Sequence, residues 1–207
     1  MKKIIVFVGL FIFAIAPMMA QNKTARNDSE QMQYIRERYA AEQILAEQSK
    51  DPDVPNNYTM ITRMENKAAV GQCKEQIEMY YDEIFENEEE PYPSEYMLTF
   101  VRRSYNIAAR QFYEEFLYDT DGQPLFWFVR YDGFFSDDTS GKVEIRCYFR
   151  EGKQFKTICK IADESGKMKE TSYRSDFDEV CSSTLEHFQE FKALFDVYYN
   201  KYNENSK

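Results

Sequence analysis

An α+β fold follows from three features of the sequence. It is an antiparallel meander of about six to seven strands, set between an N-terminal helix and a long C-terminal amphipathic helix. Residues 58–161 break into short runs rich in Tyr, Phe, Val, Ile and Thr, each bounded by turn residues. The links between the runs are short, which makes successive strands antiparallel neighbours. On either side of this block the apolar residues recur at helical spacing instead.

The chain begins with Lys2 and Lys3, an apolar run from Ile4 to Ala16, Pro17 and a small-residue end at Ala20. This is the layout of a secretory signal peptide cleaved after Ala20. Its apolar run is short for a membrane span, and no later stretch is apolar enough to be one. The expected organisation is therefore a signal peptide over 1–20, a flexible segment over 21–28, one α+β domain over 29–203 and a disordered tail over 204–207. Such a protein acts in the periplasm or outside the cell.

The first helix is expected over Ser29 to Gln48. Met32, Ile35, Tyr39 and Ile44 or Leu45 fall near helical period, with Asp28 or Ser29 as the cap. Pro52 and Pro55 end it. Strands are then expected over 58–65, 73–84, 95–105, 110–119, 124–132, 143–150 and 154–161. Asp-Gly within DTDGQ, 119–123, sits between two aromatic strands and reads as a hairpin turn. A calcium loop would need its glycine at the sixth position, and Gly122 is the fourth residue of the stretch.

The last hairpin carries a cysteine expectation. Val143, Ile145, Cys147 and Phe149 share one face, and Phe155, Thr157, Cys159 and Ile161 share one face of the return strand. A three-residue loop at Gly152, Lys153 and Gln154 would set Cys147 opposite Cys159, in reach of a cross-strand disulfide or as two buried thiols. With Cys73 and Cys181 the chain has four cysteines, an even number that suits an exported protein. The final helix is expected from about Asp176, with Ser175 and Asp178 as a capping box. Phe177, Cys181, Leu185, Phe188, Phe195, Tyr198 or Tyr199 and Tyr202 would form its apolar stripe.

Chemistry is sparse. The sequence has 36 acids, 26 Lys and Arg residues and a net charge of −10, which loss of Lys2 and Lys3 takes to −12. That balance argues against nucleic acid and anionic membranes, which need clustered cations. It suits a basic partner. There is no G-x-S-x-G, H-E-x-x-H, Walker or Rossmann pattern, and no cofactor or metal site is expected. His187, the one histidine, is read as a solvent-edge residue of the last helix. Glu114 and Glu115 point to opposite faces of one strand. Glu114, between Phe112 and Phe116, is expected to be half-buried with a raised pKa, facing Arg102 or Arg130.

Two stretches stand out as a binding surface. In FENEEEPYPSEY, 85–96, Pro91 and Pro93 disfavour helix and central strand, so the segment is a connector presenting Glu86, Glu88, Glu89, Glu90 and Tyr92. In DGFFSDDTSGK, 132–142, Phe134 and Phe135 have no partner in a period-2 pattern, and are either exposed binding anchors or a small local cluster folded back on the chain.

The ending MMAQN, the Tyr- and Glu-rich chain after it and FLYDTDGQPLFWFVRYD resemble small exported envelope proteins of the Bacteroidota. The resemblance implies an envelope location and transfers no site residue. The expected function is an exported, non-catalytic binding protein for a basic envelope or extracellular partner, for example a hydrolase that it inhibits. The alternatives are a carboxylate-dependent hydrolase and a structural part of an envelope assembly.

Overall fold

The computed structural model describes residues 26–203, apart from 52, 54–56, 88 and 136–139, and not the side chains of 200–203. The expected signal peptide, most of the 21–28 segment, Glu88 and the tail over 204–207 lie outside the described residues.

Helix α1, Asp28–Gln48, leads into eight strands. These are β1 (Tyr58–Lys67), β2 (Gly71–Ile84), β3 (Glu95–Ile107), β4 (Arg110–Tyr118), β5 (Pro124–Phe134), β6 (Ser140–Arg150), β7 (Lys153–Ala162) and β8 (Met168–Thr171). They form one sheet in the order β1 to β8, each antiparallel to the next. A 3-10 turn at Ser175–Phe177, a short α2 (Asp178–Cys181) and α3 (Thr184–Asn203) complete the chain.

Alternation along each strand builds two cores. Met79, Val101, Phe116, Trp127, Val129 and Ile145 face one way and pack against Phe188, Phe191 and Phe195 of α3. Tyr80, Phe100, Leu117, Phe126, Phe128 and Tyr148 face the other way, toward Ile35 and Ala46 of α1. The sheet is thus the middle of three layers, with one long helix on each face.

Four details depart from the sequence expectations. Asn27, not Asp28 or Ser29, caps α1: its side-chain oxygen accepts from the Glu30 N–H and the Glu30 carboxylate accepts from the Asn27 N–H, both at 3.0 Å. The expected last helix is broken after Cys181, where the Thr184 hydroxyl donates to the Cys181 carbonyl at 2.9 Å, and no Ser175 capping box forms. An eighth strand, β8, occupies part of the polar link.

The fourth is the β6–β7 register, which puts Cys147 opposite Thr157 and Cys159 opposite Ile145. The turn is Glu151–Gly152, two residues at φ of 50° and 71°, the left-handed pair that a two-residue hairpin requires. A bulge between Tyr148 and Phe149 shifts the pairing once more. Of the two alternatives for Cys147 and Cys159, a bridge is not formed and two buried thiols are found; all four cysteines are free.

Candidate functional site

A meander sends alternate connections to opposite ends of its strands. The β2–β3 connector, with Glu86, Glu89, Glu90 and Tyr92, lies at the end where β3 begins. The β5–β6 loop, with Phe134 and Phe135, lies at the end where β3 finishes. Thirteen residues of β3 at ~3.3 Å each separate the two ends by roughly 40 Å. The acids and the loop phenylalanines do not form one surface.

The Glu90 N–H donates to the Asn87 carbonyl at 3.2 Å, and the Asn87 amide donates to the Glu90 carboxylate at 3.2 Å. Tyr92, between Pro91 and Pro93, is 79 % exposed, and Phe85 is 45 % exposed. Glu83, Glu86, Glu89 and Glu95 are solvent-facing around them. At the far end, Phe134 is exposed. Phe135 is a core residue, with the Arg174 guanidinium 4.7 Å from its ring centre. Its place in the alternation of β5 was hidden by the glycine at 133, which leaves room for the ring.

The paired acids of β4 go to opposite faces, as their period requires, and both are buried. Glu114 lies opposite Arg103 and Glu115 opposite Arg102 on β3. Arg103 donates to Glu114 at 3.1 Å and to Glu75 at 2.7 Å. Burial pushes the Glu114 carboxyl up to about 7, against the lowering effect of Arg103 and of the nearby Trp127 indole. His187 is not at the solvent edge. It is half-buried beside Phe116 and Phe191, with its Nε2 3.4 Å from Arg103. Burial, then Arg103, lowers its pKa.

On the other face Glu115 accepts from Gln43 at 2.6 Å, from Tyr113 at 2.5 Å and from Tyr39, with Arg102 3.5 Å away. Arg102 also donates to Glu47 at 3.0 Å and to Gln43 at 2.5 Å. Burial, together with Glu115, raises the Tyr39 and Tyr113 phenols, so both stay protonated donors.

The thiols Cys147 and Cys159 are pushed up to about 12 and about 11 by burial and by the neighbouring Cys181. Protonated thiols are weak nucleophiles. Among the described residues, no three His, Cys, Asp or Glu side chains are grouped to hold a metal ion. No helix among them is long and apolar enough to cross a membrane.

The sequence did not point to a cleft of about 410 Å³ between the first half of α1 and strands β5 to β8. Ile35, Phe126, Tyr148 and Ile158 line it together with Arg36, Arg146 and Lys160, and Glu170 sits on it from β8. Its sequence signal was the alternation of Glu144, Arg146 and Tyr148 with Val143, Ile145 and Cys147. That pattern reads as a solvent-facing strand face until a second helix is placed over it.

Compared with known proteins, the chain matches no family model, no curated protein and no solved structure.

Proposed function

We propose that this is an exported, non-catalytic binding protein of the cell envelope. It takes a basic protein partner, such as a basic hydrolase that it inhibits, on the sheet end that carries the β2–β3 connector. The observation that carries this reading is Tyr92, 79 % exposed, held between two prolines and surrounded by acids. Proline limits the conformations that binding must freeze out, and exposed aromatic side chains make strong interface anchors. The acids draw a cationic surface in by long-range attraction.

The hydrolase alternative needs two carboxylates converging on open space. Glu114 and Glu115 instead diverge, and each is engaged by an arginine and covered by a helix. The assembly alternative needs a bare apolar sheet edge. The β1 edge exposes Met60 and Met64 but interleaves Arg63, Glu65 and Lys67, charges that oppose edge-to-edge pairing.

The test is capture by the immobilised chain lacking residues 1–20, from envelope and culture-fluid fractions at low and high salt. A basic protein released by salt, and lost when Glu86, Glu89 and Glu90 become Gln or Tyr92 becomes Ala, is the expected result. A partner indifferent to both sets of changes defeats the proposal.

A further inference from the structure

We propose that the cleft between α1 and β5–β8 is a second site, which binds a small carboxylate carried on an apolar or aromatic body. In a chain with a net charge of −10, three cations line this one concavity. Arg146 comes from β6, Lys160 from β7 and Arg36 from α1.

Arg146 is held in place. Its Nη2 donates to Glu144 at 2.9 Å, and its guanidinium stacks 5.0 Å from the Phe128 ring centre. Its Nη1 is buried and has no acceptor among the described residues. A buried N–H with no acceptor is costly, and a rotation of the guanidinium toward the cleft that Arg146 lines would bring it to a ligand oxygen and remove that cost. Lys160 stands between Glu144 on β6 and Glu170 on β8 in the sheet register. Neither carboxylate closes an ion pair with it, and Arg36 has no ion-pair partner among the described residues.

The charge balance narrows the ligand class. Arg36, Arg146 and Lys160 stand against Glu144 and Glu170, which leaves a surplus of one positive charge. A monoanion matches that surplus, and a dianion exceeds it. The lining supplies the remainder of the recognition: Phe126 and Tyr148 offer aromatic surface, and Ile35 and Ile158 offer aliphatic surface. The volume lies in the range of small-molecule sites, which pair a mostly apolar wall with a few fixed polar groups.

The experiment is a titration of the isotope-labelled chain, followed by amide chemical shifts, with hydrocinnamate as the probe. Its neutral counterpart, hydrocinnamyl alcohol, and its headless counterpart, acetate, are run beside it. Hydrocinnamate is expected to shift the amides of 35–39, 146–148 and 158–160, saturating below about 20 mM, the range that ligand efficiency sets for so small a probe. The alcohol and acetate are expected to bind at least about tenfold more weakly, as loss of the charge-assisted contact or of the apolar body predicts. Arg146→Met is expected to weaken hydrocinnamate by about tenfold or more. Arg36→Gln, on an exposed helix position that leaves the fold alone, is expected to weaken it about twofold to fivefold.

No shift at these amides overturns the proposal, as does equal binding of the alcohol. Unchanged affinity in Arg36→Gln together with unchanged affinity in Arg146→Met also overturns it. If Arg146→Met does not fold, Arg36→Gln combined with Lys160→Gln decides between the same outcomes. Glu86, Glu89 and Glu90 lie outside this cleft, so success or failure here is independent of the basic-partner proposal.

Discussion

Beneath α3 the sheet meets Phe188, Phe191 and Phe195, all buried. Beneath α1 it meets Ile35 and Ala46, with Met32, Tyr34 and Tyr39 partly buried beside them, and also the polar side chains of Gln31 and Glu42. Glu42 accepts from the Thr99 hydroxyl at 3.1 Å, and Gln43 and Glu47 both reach Arg102. One helix is held by apolar area, and the other by a smaller apolar contact joined to a partly buried hydrogen-bond network. Apolar contact tolerates small shifts, whereas a buried network loses most when one member goes missing. The same sheet therefore makes two kinds of attachment, and each should fail in its own way.

The largest expected effect is on the apolar side. Phe191→Ala should destabilise the protein by about 3–5 kcal/mol, since it removes a buried ring that packs on Phe116. Urea unfolding measures it. A loss under about 1 kcal/mol would mean that α3 is not the apolar keystone of its face.

Next is Glu115→Ala, expected to destabilise by roughly 3 kcal/mol, because it takes the shared acceptor from Tyr39, Gln43 and Tyr113 and the neighbouring carboxylate from the Arg102 Nε. Hydrogen exchange should locate the damage. Amides of α1 should lose protection while those of α3 keep theirs. Equal loss in both helices would erase the distinction between the two attachments.

The pH dependence sharpens the comparison on the α3 face. Glu114 titrates near 7 in the folded protein, above an ordinary glutamate. Its folded form holds the proton more tightly than the unfolded chain does. Its contribution is therefore greatest at acid pH and falls as pH rises from about 4.5 to about 7, by at most ~1.4 kcal/mol per unit. His187 works in the other direction. Its folded pKa is lowered, so its contribution is present above its unfolded value near 6.5 and is lost as pH falls through the folded value. Arg103 and Glu75 act on both groups, and Glu186 and Glu190 act on His187. The two slopes oppose each other just below 6.5. Glu114→Gln should remove the decline toward pH 7, and His187→Gln should lengthen it toward acid pH. Unfolding free energies from pH 4.5 to 8 decide, and superimposable curves for all three proteins would refute the assignment.

How much of this was legible can be judged from β4 itself. That Glu114 and Glu115 diverge follows from the strand period. That arginines meet them was also readable, but the partners depend on a register that no local pattern sets. Arg102 and Arg103 stand directly opposite, while Arg130 faces Tyr113 and lies 5.5 Å from its ring centre. The acidic connector was legible because two prolines leave little choice. Its separation from Phe134 emerges only from the strand count between them.

Strand β8 has a sequence signal of its own. In DTDGQ the Asp119 carboxylate accepts from the N–H groups of Asp121 and Gln123, with Gly122 at φ of 72°. In DESGK the Asp163 carboxylate accepts from those of Ser165 and Lys167, with Gly166 at φ of 80°. The same Asp-x-x-Gly device closes both hairpins. Met32, Ile35 and Tyr39 of the expected α1 stripe do pack on the sheet, whereas Ile44 and Leu45 are exposed. Which sheet face α1 covers was not legible, because several strands carry aromatics on both faces.

The smallest expected effect tests where α1 is fastened. Its first turn is set by the reciprocal Asn27–Glu30 cap and by the Asp28–Arg150 ion pair at 2.8 Å. Its second half is set by the Glu115 and Arg102 network. Asn27→Ala should destabilise by about 1 kcal/mol, the usual worth of a side-chain cap. If the network alone holds the helix, exchange should quicken only in the first two turns, around Gln31 and Ile35, and leave Gln43 and Glu47 as protected as before. If protection falls along the whole of α1, the cap and the network act as one unit. Asn27→Ala would then resemble a mild Glu115→Ala, and the α1 attachment would be one cooperative contact from Arg150 to Arg102.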